Sequence, residues 1–397
     1  MPEGILNHPD LLTEGHGDLK PFFQPIVEVS SGKVTGYEAL ARFVRSDGTA
    51  VSAGYLFTDS RISIEDKKRL DRSVREQAIQ KVHQLPEHTR MTLNISPQWL
   101  SVSSSKSLPT LDLLLKYGVD PRRVVVELVE MNGDLSCISQ AVAKYRKAGI
   151  RIAIDDFGAG FSQFDRVIAL EPDIIKLDMR LFQQGAQGGV AEYVVESLAT
   201  LCTKSGAVIV CEGVETEEEF YFALRCGAHH MQGFLFSPAT EEFVDREAFS
   251  HQVAVLRARF FEQQKEQFCK TRKQYQDLYR TVELISNQHK IMDQLDIEFV
   301  STTLSHLDGI IRFYAAHPTG EQFTANYDYS KTTGVWIKGD RFKGYNWSWR
   351  PYFYQLFAGE STVLSPRYLD IDTTKPCKTL SLQITENIIL MVDIEVY

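Results

Sequence analysis

The sequence predicts an α/β protein, a (β/α)8 barrel followed by a long helix and a small α+β domain. Three observations carry this. Short β-branched runs alternate with amphipathic helical patterns from about Phe22 to Ala239. No glycine or proline occurs between Asp245 and Asp308. Strand patterns separated by turns return from Ile310 onward. The 397 residues are 43% hydrophobic and 24% charged, with 25 Gly and 14 Pro. That is globular composition and excludes a collagen-like, low-complexity or wholly disordered chain.

The predicted barrel strands are Phe22–Val29, Gly36–Phe43, Met91–Ile95, Val124–Val129, Arg151–Asp155, Asp173–Leu177, Ala207–Cys211 and His229–Phe236. Val124-Val-Val126 and Ile209-Val-Cys211 are apolar throughout, as parallel strands covered on both faces must be. Helical patterns lie between them at Ile64–Gln84, Ser136–Ala148, Gly189–Lys204 and Thr216–Cys226. Thr216-Glu-Glu-Glu219 has the spacing of a capping box, which marks a helix start. The link Ser30-Ser-Gly-Lys-Val-Thr35 is too short for a crossover helix, so the first two strands are predicted to pair antiparallel. A doubly wound sheet is the competing architecture.

The segment after Asp245 places Phe249, Val253, Leu256 and Phe260, then Leu278, Val282, Ile285, Met292 and Leu295, at the 4-3-4 steps of a heptad seam. One long helix is expected, either lying on its own domain or serving as a dimer helix. The predicted division is a lead segment at 1–18, a barrel at 19–244, a linker helix at 245–300 and a sensor-like domain at 301–397. In the last of these, strands are expected at Ile310–Ala316, Gln322–Tyr327, Gly334–Lys338, Ser361–Ser365, Lys378–Thr385 and Ile388–Val396.

The formal net charge is −9. Coating of DNA or RNA is disfavoured, because non-specific binding needs a basic stripe that displaces counterions. Six scattered cysteines without a Cys-x-x-Cys pattern read as reduced thiols. The first ten residues lack the order of a signal peptide, and no apolar run approaches the roughly 18 residues that span a bilayer. The expected location is the cytoplasm.

Acids and amides fall at the strand ends. Glu38 lies in the second predicted strand, Asn94 and Glu127 near the ends of the third and fourth, and Asp155-Asp156 closes the fifth. Lys176 and Asp178 follow at the sixth and Glu212 at the seventh. In a barrel these converge on the C-terminal mouth, where such folds carry out their chemistry. Like charges so gathered need a counter-charge. Oxygen donors with an amide favour Mg²⁺, Mn²⁺ or Ca²⁺ over zinc, and adjacent aspartates suit two ions sharing a ligand. A single strand-end Asp is commonly just a helix cap; a whole register of them is not.

At these residues the chain resembles the EAL family of cyclic di-GMP phosphodiesterases. The motifs are Phe23-Gln-Pro-Ile26, Glu38-Ala-Leu40 with Ala41-Arg42, Asn94-Ile-Ser96, Glu127-Leu-Val-Glu130, Asp155-Asp-Phe-Gly-Ala-Gly160, Ile175-Lys-Leu-Asp178, Cys211-Glu-Gly-Val-Glu215 and Met231-Gln-Gly-Phe234. The resemblance implies a TIM-like barrel with an antiparallel first strand and hydrolysis of cyclic di-GMP to linear pGpG with Mg²⁺ or Mn²⁺. It implies one ion on Glu38, Asn94, Glu127 and Asp155, and a second on Asp155, Asp156 and Glu212. Glu212, Lys176 and Glu38 would form the catalytic group, and Gln24, Leu40, Arg42 and Gln232 would touch substrate. Glu130, Asp178 and Glu215 would support the site's loops. Ala159, Phe161 and Val129 depart from the commoner residues without removing a ligand. A receptor that binds the nucleotide without cutting it is the alternative, and family habit implies a homodimer.

The C-terminal part resembles the PAS-like domain that follows the EAL domain in a group of Gram-positive proteins, through Asn346-Trp-Ser-Trp-Arg-Pro-Tyr-Phe353. Trp349, Arg350, Tyr352 and Asp393 are expected either to line a small-ligand pocket or to form an aromatic core with Arg350 in a structural ion pair.

Overall fold

The computed structural model describes residues 18–96, 108–128, 134–159, 164–289, 294–373 and 375–396. It divides into two compact units, Met1–Phe260 and Phe261–Tyr397.

In the first unit nine strands form one sheet: β1 Asp18–Glu28, β2 Val34–Val44, β3 Ala50–Ser52, β4 Arg90–Ile95, β5 Val124–Leu128, β6 Arg151–Phe157, β7 Ile174–Leu177, β8 Val208–Cys211 and β9 His230–Met231. The order β1-β9-β8-β7-β6-β5-β4-β2 closes through a β1–β2 pairing, giving an eight-stranded barrel with β3 on the edge of β2. The doubly wound alternative is thereby excluded. β1 is antiparallel to both neighbours, and the strands from β2 through β4–β9 are parallel. The tight Ser30–Lys33 connection forces that reversal. Burial follows the sequence: every residue of β5 is buried, and the Thr216 capping box forms as its spacing predicts.

The last barrel strand is far shorter than its apolar run, His230–Met231 instead of His229–Phe236. The chain turns at Gly233, where a Cβ would meet the Val214 backbone oxygen at 2.1 Å. That close approach diverts the chain and ends strand pairing.

The expected linker helix runs Ser250–His289, and a separate helix follows at Ile297–Leu304. Asp296 caps the second helix through the Phe299 N–H, and its own N–H donates to His289 Nε2 at 3.0 Å. One uninterrupted helix to residue 300 is therefore incorrect. Phe249, Val253 and Leu256 are buried in the barrel unit's core, and Leu278, Val282 and Ile285 in that of the second unit. Both ends of the seam are thus covered within the chain. Among the described residues, no helix is long and apolar enough to cross a membrane.

The second unit is built on an antiparallel sheet of β10 Ile310–Ala316, β11 Asn326–Ser330, β12 Val335–Gly339, β13 Thr362–Leu364, β14 Tyr368–Leu369, β15 Pro376–Thr385 and β16 Ile388–Glu395. Its order is β12-β11-β10-β16-β15-β13, with β14 on β15. β11 starts later than its pattern suggests, because buried Gln322 donates to the Thr324 carbonyl and to Asn326 and holds a turn there. Alternation sorts the sheet into two faces. Phe313, Leu380, Leu390 and Val392 pack with the helices, whereas Tyr314, Ala316, Ile389 and Met391 pack under Phe342, Trp347, Tyr352 and Phe353.

Candidate active site

β2 supplies the first wall. Glu38, Leu40 and Arg42 recur every second residue, so one face of the strand presents all three, and they border a cavity of about 440 Å³ together with Asn94, Asp155 and Asp156. Gln24 sits directly opposite Glu38 in the β1–β2 register. Gln232 Nε2 donates to Gln24 Oε1 at 3.0 Å and to Glu38 Oε2 at 2.8 Å. Asn94 Nδ2 donates to Glu38 Oε1 at 2.8 Å, which turns its own Oδ1 away from Glu38; that buried oxygen has no hydrogen-bond partner among the described residues.

Lys176 stands at the centre, 2% exposed. Its Nζ lies 2.9 Å from Glu38, 2.5 Å from Glu212 and 3.3 Å from Asp155, and it is also paired with Glu127. Burial alone lowers a lysine's pKa, but these four carboxylates outweigh it and hold Lys176 well above the ordinary value. Burial pushes Glu127 and Glu212 upward, reinforced by Asp155 and Glu38. For Asp155 burial acts upward too, but Lys176 and hydrogen bonds bring it below its usual value.

Adjacent strand residues ordinarily face opposite sides of a sheet. Asp155 and Asp156 nevertheless both reach the mouth, because the β6–β7 register shifts between Ile154 and Phe157 and Asp156 adopts φ 51°. A local irregularity of this kind re-aims a side chain. Burial, then Asp155 and Asp178, push Asp156 up to about 6.

Carboxylate oxygens of Glu38, Glu127 and Glu212 lie within 4.8 Å of one another, as do those of Asp155, Asp156 and Glu212. The donors are all oxygens. Among the described residues Glu127 Oε2 and Asn94 Oδ1 are buried without hydrogen-bond partners, and one lysine faces four acids. This donor set fits hard divalent cations. The turn after Glu212 is fixed by Gly213 at φ 63°, where a Cβ would sit 2.0 Å from Met179.

Not every predicted residue joins this group. Asp178 caps the helix Met179–Ala186, accepting from the Leu181 N–H at 2.8 Å, so its carboxylate is committed to a structural role beside the site. Glu215 is exposed, and its backbone N–H donates to Glu219. Glu130, Val129 and Phe161 lie outside the described residues. Conversely, Asp71 and Arg75 border the cavity from the helix Ile64–Lys81. Their i,i+4 spacing reads in a sequence as an ordinary surface ion pair; in the fold Arg75 is 7% exposed, and burial lowers it to about 10. In the second unit Arg350, Tyr352 and Asp393 border one small cavity. Trp349 does not; it is 63% exposed, with the Arg350 guanidinium 4.2 Å from its ring centroid.

Residues 10–239 match the EAL domain model, and residues 243–397 match the model of an EAL-domain associated signalling protein domain. YkuI of Bacillus subtilis, an EAL-domain containing protein, is 27% identical over 98% of this chain and 97% of its own. Its crystal structure, in complex with substrate c-di-GMP and calcium, superposes with a TM-score of 0.83 over 96% of each chain at 26% identity. PdeB of Escherichia coli, a probable cyclic di-GMP phosphodiesterase, is 31% identical over 56% of this chain and 43% of its own. A c-di-GMP-bound standalone EAL protein of Vibrio cholerae matches 58% of this chain and 96% of its own, at TM-score 0.51 and 26% identity. With its family model spanning more than half of its length and its barrel closed in the expected way, the chain belongs to the EAL domain family.

Proposed function

We propose that the chain is a metal-dependent phosphodiesterase that hydrolyses one 3′–5′ linkage of cyclic di-GMP to give linear pGpG. The observation that carries this reading is the complete oxygen set around Lys176, with buried acceptor atoms that no protein donor uses. Glu38, Asn94, Glu127 and Asp155 would hold one Mg²⁺ or Mn²⁺, and Asp155, Asp156 and Glu212 a second. Such ions lower the pKa of a bound water and neutralise charge on the phosphoryl oxygens.

The protein's own groups do the remaining work. Glu212, raised by burial and 2.5 Å from Lys176, orients the attacking water and takes its proton. Lys176 holds the acids in register and offsets charge at the phosphate. Arg42 offers a forked donor to non-bridging oxygens, while Gln24, Leu40 and Gln232 orient the nucleotide. The water oxygen joins phosphorus, the P–O3′ bond breaks, and the 3′-oxygen departs and takes a proton from solvent water to become the hydroxyl, while the proton held by Glu212 is released to solvent.

The same reading assigns 19–244 to catalysis and 301–397 to regulation, the latter requiring a ligand that distinguishes two states of the protein. It places the protein in the cytoplasm as a homodimer, for which exposed Phe261 and Phe268, seven residues apart on one helix, offer a surface. Chromatography of cyclic di-GMP after incubation with Mg²⁺ or Mn²⁺ tests the chemistry. Conversion to pGpG is expected, falling by about 10²-fold or more in Glu38→Gln and Glu212→Gln. Tight binding with the nucleotide returned intact would identify a receptor instead.

A further inference from the structure

The end of the barrel opposite the mouth carries the reverse charge. Asn94 and Asp155 face the barrel axis, and side chains alternate along a strand. Thr92 and Arg90 on β4, and Ala153 and Arg151 on β6, therefore share that face. Gln24 and Gln232 likewise place Glu28 on β1 and His230 on β9 over the axis, and these two residues pair directly in the β1–β9 register. Ile26, Thr92, Val125, Ala153 and Val210 are buried between the two ends and separate this floor from the acidic mouth.

Arg90, Arg151 and His230 thus converge, with Glu28 as the acid among them. The charges act on one another. Burial, then repulsion by Arg151, lowers Arg90. Burial, opposed by Glu28 and reinforced by His229, Arg90 and Arg151, brings His230 down to about 4. Glu28 already accepts from the Ser31 hydroxyl at 2.6 Å. Asp173, at the rim, accepts from the Ile152 N–H at 2.8 Å and lies 3.9 Å from Arg146. Among the described residues neither Arg90 nor Arg151 has an ion-pair partner, and the buried Nε of Arg90 has no hydrogen-bond partner. Arg246, whose carbonyl accepts from the Val34 N–H at 2.9 Å, adds positive charge beside Glu28 and also has a buried Nε without a partner there.

Like charges gathered without a counter-ion repel, and a buried N–H left unpaired costs free energy. An oxyanion removes both costs. Forked guanidinium donors match phosphate oxygens, and an imidazole supplies one further N–H. We propose that the floor of the barrel binds a phosphate group, held by Arg90, Arg151 and His230. The group arrives as the free ion or on a small phosphomonoester. The site lies beyond the chemistry assigned to the mouth and does not depend on it.

Isothermal titration calorimetry of the full chain tests this, with inorganic phosphate and glycerol 3-phosphate as probes in chelator-treated buffer. Without divalent ions the acidic mouth repels both. At least one is expected to bind saturably with a Kd of about 1 mM or tighter, and the tighter of the two tells the free ion from the ester. Arg151→Gln, at an exposed strand start, should weaken binding at least about tenfold. Glu28→Gln removes the acid and should tighten it about threefold or more, a gain that a merely structural arginine cluster would not give. Arg42→Gln, at the opposite end, should leave the constant unchanged. No saturable binding of either probe, an unaltered constant in Arg151→Gln, or loss of binding in Arg42→Gln would overturn the proposal. The Arg151 and Glu28 variants decide the matter even if Arg90→Gln fails to fold.

Discussion

Each unit of this molecule buries one cation among four carboxylates, and the two clusters serve different ends. In the barrel, Lys176 faces Glu38, Glu127, Asp155 and Glu212. In the second unit, Arg312 faces Asp328, Asp370, Asp372 and Asp393. The composition is nearly the same, but the use of the oxygens is not. Asp370 accepts from Arg312 twice and from both the backbone and hydroxyl of Thr373, and Asp372 is paired with Arg341. The Arg312 cluster is thus largely satisfied by protein donors, Asp393 accepting from Thr379. The barrel cluster leaves Glu127 Oε2 and Asn94 Oδ1 without a hydrogen-bond partner among the described residues, and Asn94 borders the cavity. Counting acids does not identify a metal centre. Counting buried acceptors that no protein donor satisfies separates these two clusters.

The largest expected difference follows from that contrast. Asp370→Asn removes one member of a satisfied buried network and should destabilise the second unit by about 3–5 kcal/mol. Glu212→Gln removes a like charge from a crowded group and should stabilise the metal-free barrel by about 1 kcal/mol. Urea unfolding reads both in a Trp99→Phe background, where Trp336, Trp347 and Trp349 report on the second unit while far-ultraviolet circular dichroism follows the helix-rich barrel. Shifts of the same sign would erase the distinction.

A pH effect of about 4 kcal/mol at most should follow in the second unit. The folded pKa of Asp393, about 7, lies above its ordinary 3.8, so folding favours the protonated acid. Its contribution is full below the ordinary value and is lost as pH rises through about 7. Asp393→Asn should flatten this slope between those limits; a slope that persists would place its origin elsewhere. The smallest effect concerns metal. Mn²⁺ at about a hundred times its dissociation constant should stabilise the barrel by about 2–3 kcal/mol. The second unit's transition should not move, and an equal shift of both would dissolve the comparison.

The sequence made the barrel legible because parallel strands buried on both faces are written as apolar runs, as in Val124-Val-Val126. It made the acids at the mouth legible because strand ends carry them in a fixed register. It did not show where the last strand stops, since Gly233 diverts the chain through a backbone contact with Val214, distant in the pattern. Nor did it show Asp71 and Arg75 at the cavity, because an i,i+4 pair looks the same on any helix surface. Asp178 and Glu215 show how differently two expected supporting residues can be placed. Both belong to matching motifs, yet one is committed to capping a helix and the other points to solvent. Proximity along the chain did not translate into proximity around Lys176.

The left-handed turn of Asp156 carries a consequence for how such a centre arises. Without the slip in β6, the pleat would send neighbouring carboxylates to opposite sides, one inward and one toward the surrounding helices. A single displaced peptide therefore separates a mouth with one anchoring acid at this position from a mouth with two. The proposed binding of a pair of ions would rest on backbone geometry that an inventory of side chains would not reveal.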